Sequence, residues 1–243
     1  MGPRLSVPCY HSFMPSWNIH TAHVERLLRE EDAAALGIRD VNAFLFGNLV
    51  PDIYVGYMVP NLPRKIEYKE THFADPSIVP EPRYGEFFER FVQPSADEDG
   101  RVSDVVLGAW THLVADHVYN ARFNQLLNRL GLAPCTEIRE RKQADFDTFG
   151  RTLSIGWIPG ATPEVLAQCA CFPQYEVDES AVRATCAVMA HIVTDNIVRH
   201  VDDPSYSLLG DDYFAVVPDE VDALMREGLH AYAAGDPQWG RQR

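Results

Sequence analysis

The segment from Ser103 to Gly131 constrains this chain most. Ser103 can cap a helix through its side-chain oxygen and Gly131 can end one in the left-handed region. Between them Val106, Leu107, Trp110, Leu113, Val114, Val118, Phe123, Leu126 and Leu127 recur at helical spacing. Other helices are expected to cover it. Ser16 is placed to cap one in which Trp17, His20, Val24, Leu27 and Leu28 share a face, with Gly37 as its stop. Asp40 is placed to cap a second through Phe44, Leu45 and Leu49, stopped by Pro51. Further helices are expected over 83–93, 137–153, 163–170, 178–200 and 218–233. No β-alternating segment exceeds four residues, and no repeat or low-complexity tract is present. The reading is an all-α, single-domain helical bundle over 14–243, preceded by a loose arm over 1–13 that has neither helical nor strand period.

Composition narrows the function classes. A chain of 243 residues lies at the upper end of what one core supports, and 46% hydrophobic with 23% charged residues is the balance of a packed protein. The net charge of −14, from 35 acids against 21 scattered bases, argues against duplex nucleic acid as a partner. It would also repel an anionic lipid surface, while leaving a neutral headgroup open. Cys9, Cys135, Cys169, Cys171 and Cys186 form an odd set without disulfide or zinc-ribbon spacing, so a reducing, cytoplasmic location is expected. Cys169 and Cys171 read either as two small apolar residues on a short helix or as a soft-metal pair. Pro3, Pro8 and His11 stand where a secretory signal would be apolar. The apolar stretch Ala43 to Pro60 is interrupted by Asn48, Pro51, Asp52 and Gly56, which reads as buried core rather than a transmembrane segment.

The chemistry centres on His and Asp. His112 and Asp116 stand four residues apart in the strongest helix, one above the other on one face, and His191 and Asp195 repeat the spacing. Leu113, Val114 and Ala115 flank one pair, Ile192 and Val193 the other. A carboxylate among such neighbours needs a partner, because burying it alone is costly. That partner is either a metal ion or the histidine itself in a helix-locking hydrogen bond. Asp52 ends the run Phe46-Gly-Asn-Leu-Val-Pro-Asp52, as a ligand or as a turn former. His72 lies in a proline-rich connection over 53–81, as a ligand or as an exposed loop histidine.

Five pieces in order carry a resemblance: Met14-Pro-Ser-Trp-Asn-Ile-His20, Phe46 to Asp52, Thr71-His72-Phe73, Leu107-Gly-Ala-Trp-Thr-His112-Leu-Val-Ala-Asp116-His117, and His191-x3-Asp195. Over residues 14–200 the chain resembles the zinc-dependent phospholipases C and the related single-strand-specific zinc nucleases. The resemblance implies an all-helical fold around up to three zinc ions, with manganese or iron tolerated by the same ligands. Asp52, His72, His112 and Asp116 would form the first site, with Asp116 bridging. His191 and Asp195 would belong to the second, and His20 to the third. Zinc-activated water would hydrolyse a phosphodiester or phospholipid, and Asp52 would orient or deprotonate it.

The chain departs from that pattern at two points. Relatives supply the second zinc with a histidine six residues after the bridging Asp, where this chain has Arg122; His117, Asn120 and Asp147 are the possible substitutes. Exported relatives bind the third ion through an N-terminal Trp, whereas Trp17 is internal, and His23 is an alternative to His20 or simply a helix-surface histidine. Lys142 to Asp147 places charges beside aromatics, as a solvated helix face or a cleft wall. Two other functions stand beside the hydrolase: a catalytically inactive, metal-stabilised helical protein with a folding or partner-binding role, and an HD-type phosphohydrolase. The latter needs adjacent His-Asp, and the order here is Asp116-His117.

Overall fold

A computed structural model describes residues 16–242, so the arm read over 1–13 lies outside the described residues. Among them every regular element is helical. The α-helices are α1 (Trp17–Glu30), α2 (Val41–Gly47), α3 (Tyr68–Thr71), α4 (Tyr84–Phe87), α5 (Asp104–Leu130), α6 (Thr136–Thr152), α7 (Pro163–Ala170), α8 (Glu179–Val198) and α9 (Gly210–Ala233). Among the described residues no helix is long and apolar enough to cross a membrane.

Helix α5 is the axis. At 27 residues and 1.5 Å per residue it is about 40 Å long, and residues 104–116 are buried on all sides. The Ser103 side chain caps it by accepting from the Val106 amide at 3.2 Å. Helices α2, α4, α7 and α9 pack directly on it. Helix α1 lies against α6, α8 and α9 and delivers its buried face to the same core. The α2–α5 crossing is set by two glycines. A Cβ at Gly108 would lie 2.1 Å from the Phe44 carbonyl oxygen, and one at Gly47 would lie 2.3 Å from that of Val105. Only bare backbone fits, and the close approach brings the turn after α2 alongside the middle of α5.

Several boundaries differ from the sequence reading. Helix α1 stops at Glu30 rather than Gly37, because the Asp32 carboxylate accepts from the Ala34 amide and starts a separate 3-10 turn over Ala33–Leu36. The Ser16 hydroxyl bonds to the Asn18 side chain and does not cap α1. Helix α2 ends at Gly47, ahead of the expected stop at Pro51, and Asp52 lies beyond it as the last residue of a 3-10 turn over Val50–Asp52. Helix α9 begins at Gly210, eight residues before the expected start, and carries Pro218 inside it. An interior proline costs about 3 kcal/mol. Tyr213, Phe214 and Val217, all buried in the preceding turns, each return about 1.5–3 kcal/mol and outweigh it.

Gly108→Ala is expected to lower stability by about 1–3 kcal/mol through overpacking of α2 on α5. The midpoint of chemical denaturation measures it, and an unshifted midpoint would contradict the backbone approach described.

Candidate metal centre

Five titratable side chains meet beside the middle of α5 with no exposed surface: His20 from α1, Asp52 from the 3-10 turn after α2, His72 from the end of α3, and His112 and Asp116 from α5. Two groups of donors, Asp52 with His72 and His112, and His20 with His112 and Asp116, have one ligand atom per residue within 4.8 Å of one another.

Hydrogen bonds behind the two central imidazoles set which nitrogen faces inward. His112 Nδ1 lies 2.8 Å from the Asn48 carbonyl oxygen, which only accepts, so Nδ1 carries the proton. The Thr71 hydroxyl donates to the Tyr68 carbonyl at 3.2 Å, so its lone pair accepts from His72 Nδ1 at 2.7 Å. Both Nε2 atoms are then bare lone pairs, and they face each other at 3.2 Å. Around them lie Asp116 Oδ2, at 3.3 Å from His72 and 3.5 Å from His112, and the Asp52 oxygens, at 3.6 and 3.9 Å. A tetrahedral zinc ion with bonds of about 2.0–2.1 Å holds its ligand atoms about 3.3–3.4 Å apart. The spacings among His72, His112 and Asp116 fit that ion, and Asp52 stands slightly farther out. Neither Asp52 oxygen, nor Asp116 Oδ1, nor either His20 nitrogen makes a hydrogen bond, an unusual concentration of orphaned polar atoms for a core.

His20 completes the group on the other side of Asp116. Its Nε2 lies 3.2 Å from Asp116 Oδ1, and its ring stacks on His112 with centroids 3.9 Å apart. Asp116 therefore offers one oxygen to each side, as a bridging carboxylate would. Among the described residues the His20 side has two donors of its own, since the inward nitrogen of His112 belongs to the first set.

Burial, helped by the neighbouring His112, drives the His20 pKa down to about 3. Burial raises Asp52 despite His112 and His72 beside it. Burial also pushes against ionised Asp116 and protonated His112, yet their mutual attraction wins, holding Asp116 well below the usual carboxylate range and His112 above its ordinary value. The arrangement favours positive charge on the imidazole side of the carboxylates, and protons and a cation would compete for the same lone pairs.

His191 and Asp195 are not part of this group. Helix α8 buries Ala181, Val182, Thr185, Met189, Val193 and Asn196. His191 and Asp195 each fall two residues after a member of that stripe, about 200° round the helix. His191 is exposed, and Asp195 pairs with Arg199 at 2.8 Å. The apolar neighbours that suggested burial lie on the other side of α8. Arg122 points away as well, clasping Glu220 at 2.6 and 2.9 Å. Of the possible substitutes, His117 Nδ1 faces the Pro82 carbonyl at 2.9 Å, Asn120 donates to the Pro80 carbonyl at 2.5 Å, and Asp147 accepts from Gln143 at 3.2 Å. His23 is neither a surface histidine nor a member of the group: it is buried between Asp222 at 2.5 Å and the Tyr119 hydroxyl at 2.8 Å.

Of two further neighbours, Tyr68 is absent from the sequence reading and Lys142 differs from it. Tyr68 stacks on His72 with centroids 3.8 Å apart and donates its hydroxyl to Asp116 Oδ2 at 3.3 Å. Its position four residues before His72 was the available signal. Lys142 on α6 is neither solvated nor at a cleft. It is buried, its amine bonds to Asn120 Oδ1 and lies 5.3 Å from the ring centroids of both Phe123 and Phe146, and Asn120 stands one helical turn beyond Asp116. Lys142 followed by Phe146 and Phe149 on one helical face was the clue. Comparison of the chain with protein-family models, with curated proteins and with solved structures finds no significant match in any of the three.

Burial takes Lys142 down to about 7 from its ordinary 10.5. Between those values the unfolded chain holds the extra proton, so rising pH favours the fold. Wild type is expected to gain roughly 2 kcal/mol between pH 7 and pH 9 that Lys142→Met lacks. Denaturation at the two pH values reads the difference, and parallel profiles would rule out the buried amine.

Proposed function

We propose that this chain is a metal-dependent hydrolase of phosphodiester bonds, with zinc held by Asp52, His72, His112 and Asp116. One observation carries the reading: two imidazole lone pairs fixed 3.2 Å apart by the hydrogen bonds behind them, with Asp116 at tetrahedral spacing from both and Asp52 a few tenths of an ångström farther off. Two acceptors cannot bond to each other, so a cation between them relieves the conflict. The ordered resemblance to the zinc-dependent phospholipases C and zinc nucleases supports the same chemistry.

Zinc would supply hydroxide at neutral pH by lowering the pKa of water and would polarise a phosphoryl oxygen. The chain's own groups complete the arrangement. Thr71 and the Asn48 carbonyl orient the two imidazoles, and Asp116 ties the set to His20. Asp52, whose two oxygens have no other hydrogen-bond partner, orients or accepts the proton of the attacking water. The Tyr68 hydroxyl, a neutral donor, stands beside Asp116 to bind developing negative charge.

A second reading, a metal that stabilises the fold without turnover, is favoured by the complete burial of the donors, since structural zinc sites are closed and catalytic ones keep an open position. One set of measurements separates the two. Metal analysis is expected to find zinc in the wild type and to find it lost in Asp116→Ala. Hydrolysis of bis(p-nitrophenyl) phosphate is expected to vanish with chelator and return with zinc. Bound zinc whose removal lowers Tm, with no hydrolysis at any stage, would establish the structural role instead, and a zinc-free wild type that takes up none would overturn both.

A further inference from the structure

The inner face of the 53–83 connection carries His72 and Tyr68. On its outer face lies a groove of about 610 Å³. The chain as a whole is strongly acidic, yet Arg64, Lys69, Arg83 and Arg90 all line this groove, against Glu70, Asp75 and Glu86. Two of the four bases are neutralised. Arg83 pairs with Asp75 at 3.0 Å and Glu86 at 2.8 Å, and Arg90 pairs with Glu86 at 2.9 Å. The ion pairs among the described residues include neither Arg64 nor Lys69.

Arg64 is held ready. Its guanidinium lies 5.4 and 5.7 Å from the ring centroids of Tyr54 and Tyr175, and it donates to the Glu176 carbonyl at 3.4 Å. A guanidinium fixed by aromatic faces keeps free N–H groups in the fork geometry that matches a phosphate. Lys69, exposed at the groove, adds a second charge.

The groove is built on the same segments as the buried donors. Lys69 follows Tyr68, which stacks on His72, and Phe73, which lines the groove, follows His72. Phe73 has φ +54°, an uncommon value for a residue with a side chain. Tyr175 donates its hydroxyl to the Val50 carbonyl at 3.1 Å, two residues before Asp52.

We propose that this groove binds a second phosphate of the substrate, so that the chain acts on phosphodiesters carrying an additional phosphate in preference to esters with a cationic headgroup. The substrate class rests on the hydrolase reading; the phosphate-binding groove does not. The test compares the p-nitrophenyl ester of thymidine 5′-phosphate with the same ester bearing a 3′-phosphate, and measures inorganic phosphate binding to the full chain by calorimetry. Wild type is expected to favour the bisphosphate by about tenfold or more in kcat/KM, and Arg64→Gln with Lys69→Gln to bring that ratio near unity and remove a phosphate-binding event. Equal use of the two esters by wild type, or a preference that survives the double substitution, overturns the proposal. If neither ester is cleaved with zinc present, the hydrolase reading fails, and the calorimetry alone decides the groove: identical phosphate binding by wild type and variant overturns it. In a parallel arm, phosphatidylcholine vesicles are compared with vesicles containing phosphatidylinositol 4-phosphate. Selective cleavage of the phosphoinositide assigns the second phosphate to a lipid headgroup, and selectivity only among the soluble esters assigns it to a nucleotide.

Discussion

What lies between the Nε2 atoms of His72 and His112 governs the rest of the centre. Each imidazole is turned inward by a hydrogen bond at its back, one to the Asn48 carbonyl and one to Thr71, and each of those groups is itself tied into the fold. The Asn48 side chain bonds to Thr111, on the same turn of α5 as His112, and the Thr71 hydroxyl closes on the Tyr68 carbonyl. Rotating either ring would break a chain of contacts that reaches into the helix packing. The two lone pairs are therefore imposed by the fold, and the carboxylates of Asp52 and Asp116 make the space between them a place for positive charge.

Helix α5 shares out that demand along one face. His112, Asp116 and Asn120 stand at successive turns, and they meet different partners: the opposed imidazole, the His20 ring, and the Lys142 amine. Lys142 has no direct carboxylate contact among the described ion pairs, yet the charge of Asp116 favours its protonation against the penalty of burial. The Lys142 amine thus reaches, through Asn120, the turn of α5 that follows Asp116. The backbone contact at Gly47 and Gly108 holds this face against the turn that carries Asp52.

Much of this was legible in the sequence because it rests on local rules. The caps at Ser103 and Asp40, and the spacing of His112 to Asp116, are fixed within a few residues and are legible as helix signals. Asp52 and His72, each ambiguous alone, are brought to that pair by tertiary packing that no local rule expresses. His191 and Asp195 show the converse. Their spacing matched, but a four-residue interval says only that two side chains share a face, and which face is turned inward depends on the stripe of Met189 and Val193 beside them. His23 was misjudged for the same reason, since its partner Asp222 is 199 residues away. The expected start of α9 at 218 also failed, because Pro218 is carried inside the helix by buried side chains in the turns before it.

Tyr68 is half-buried, covers one imidazole with its ring and reaches a carboxylate with its hydroxyl, while the donors beneath it have no contact with solvent. Entry and escape of an ion would then require this short helix to lift. Retention becomes a matter of kinetics: the residence time of a captured ion would be set by how often residues 68–71 open rather than by coordination strength alone, and a chain that closed without its ion would be slow to acquire one.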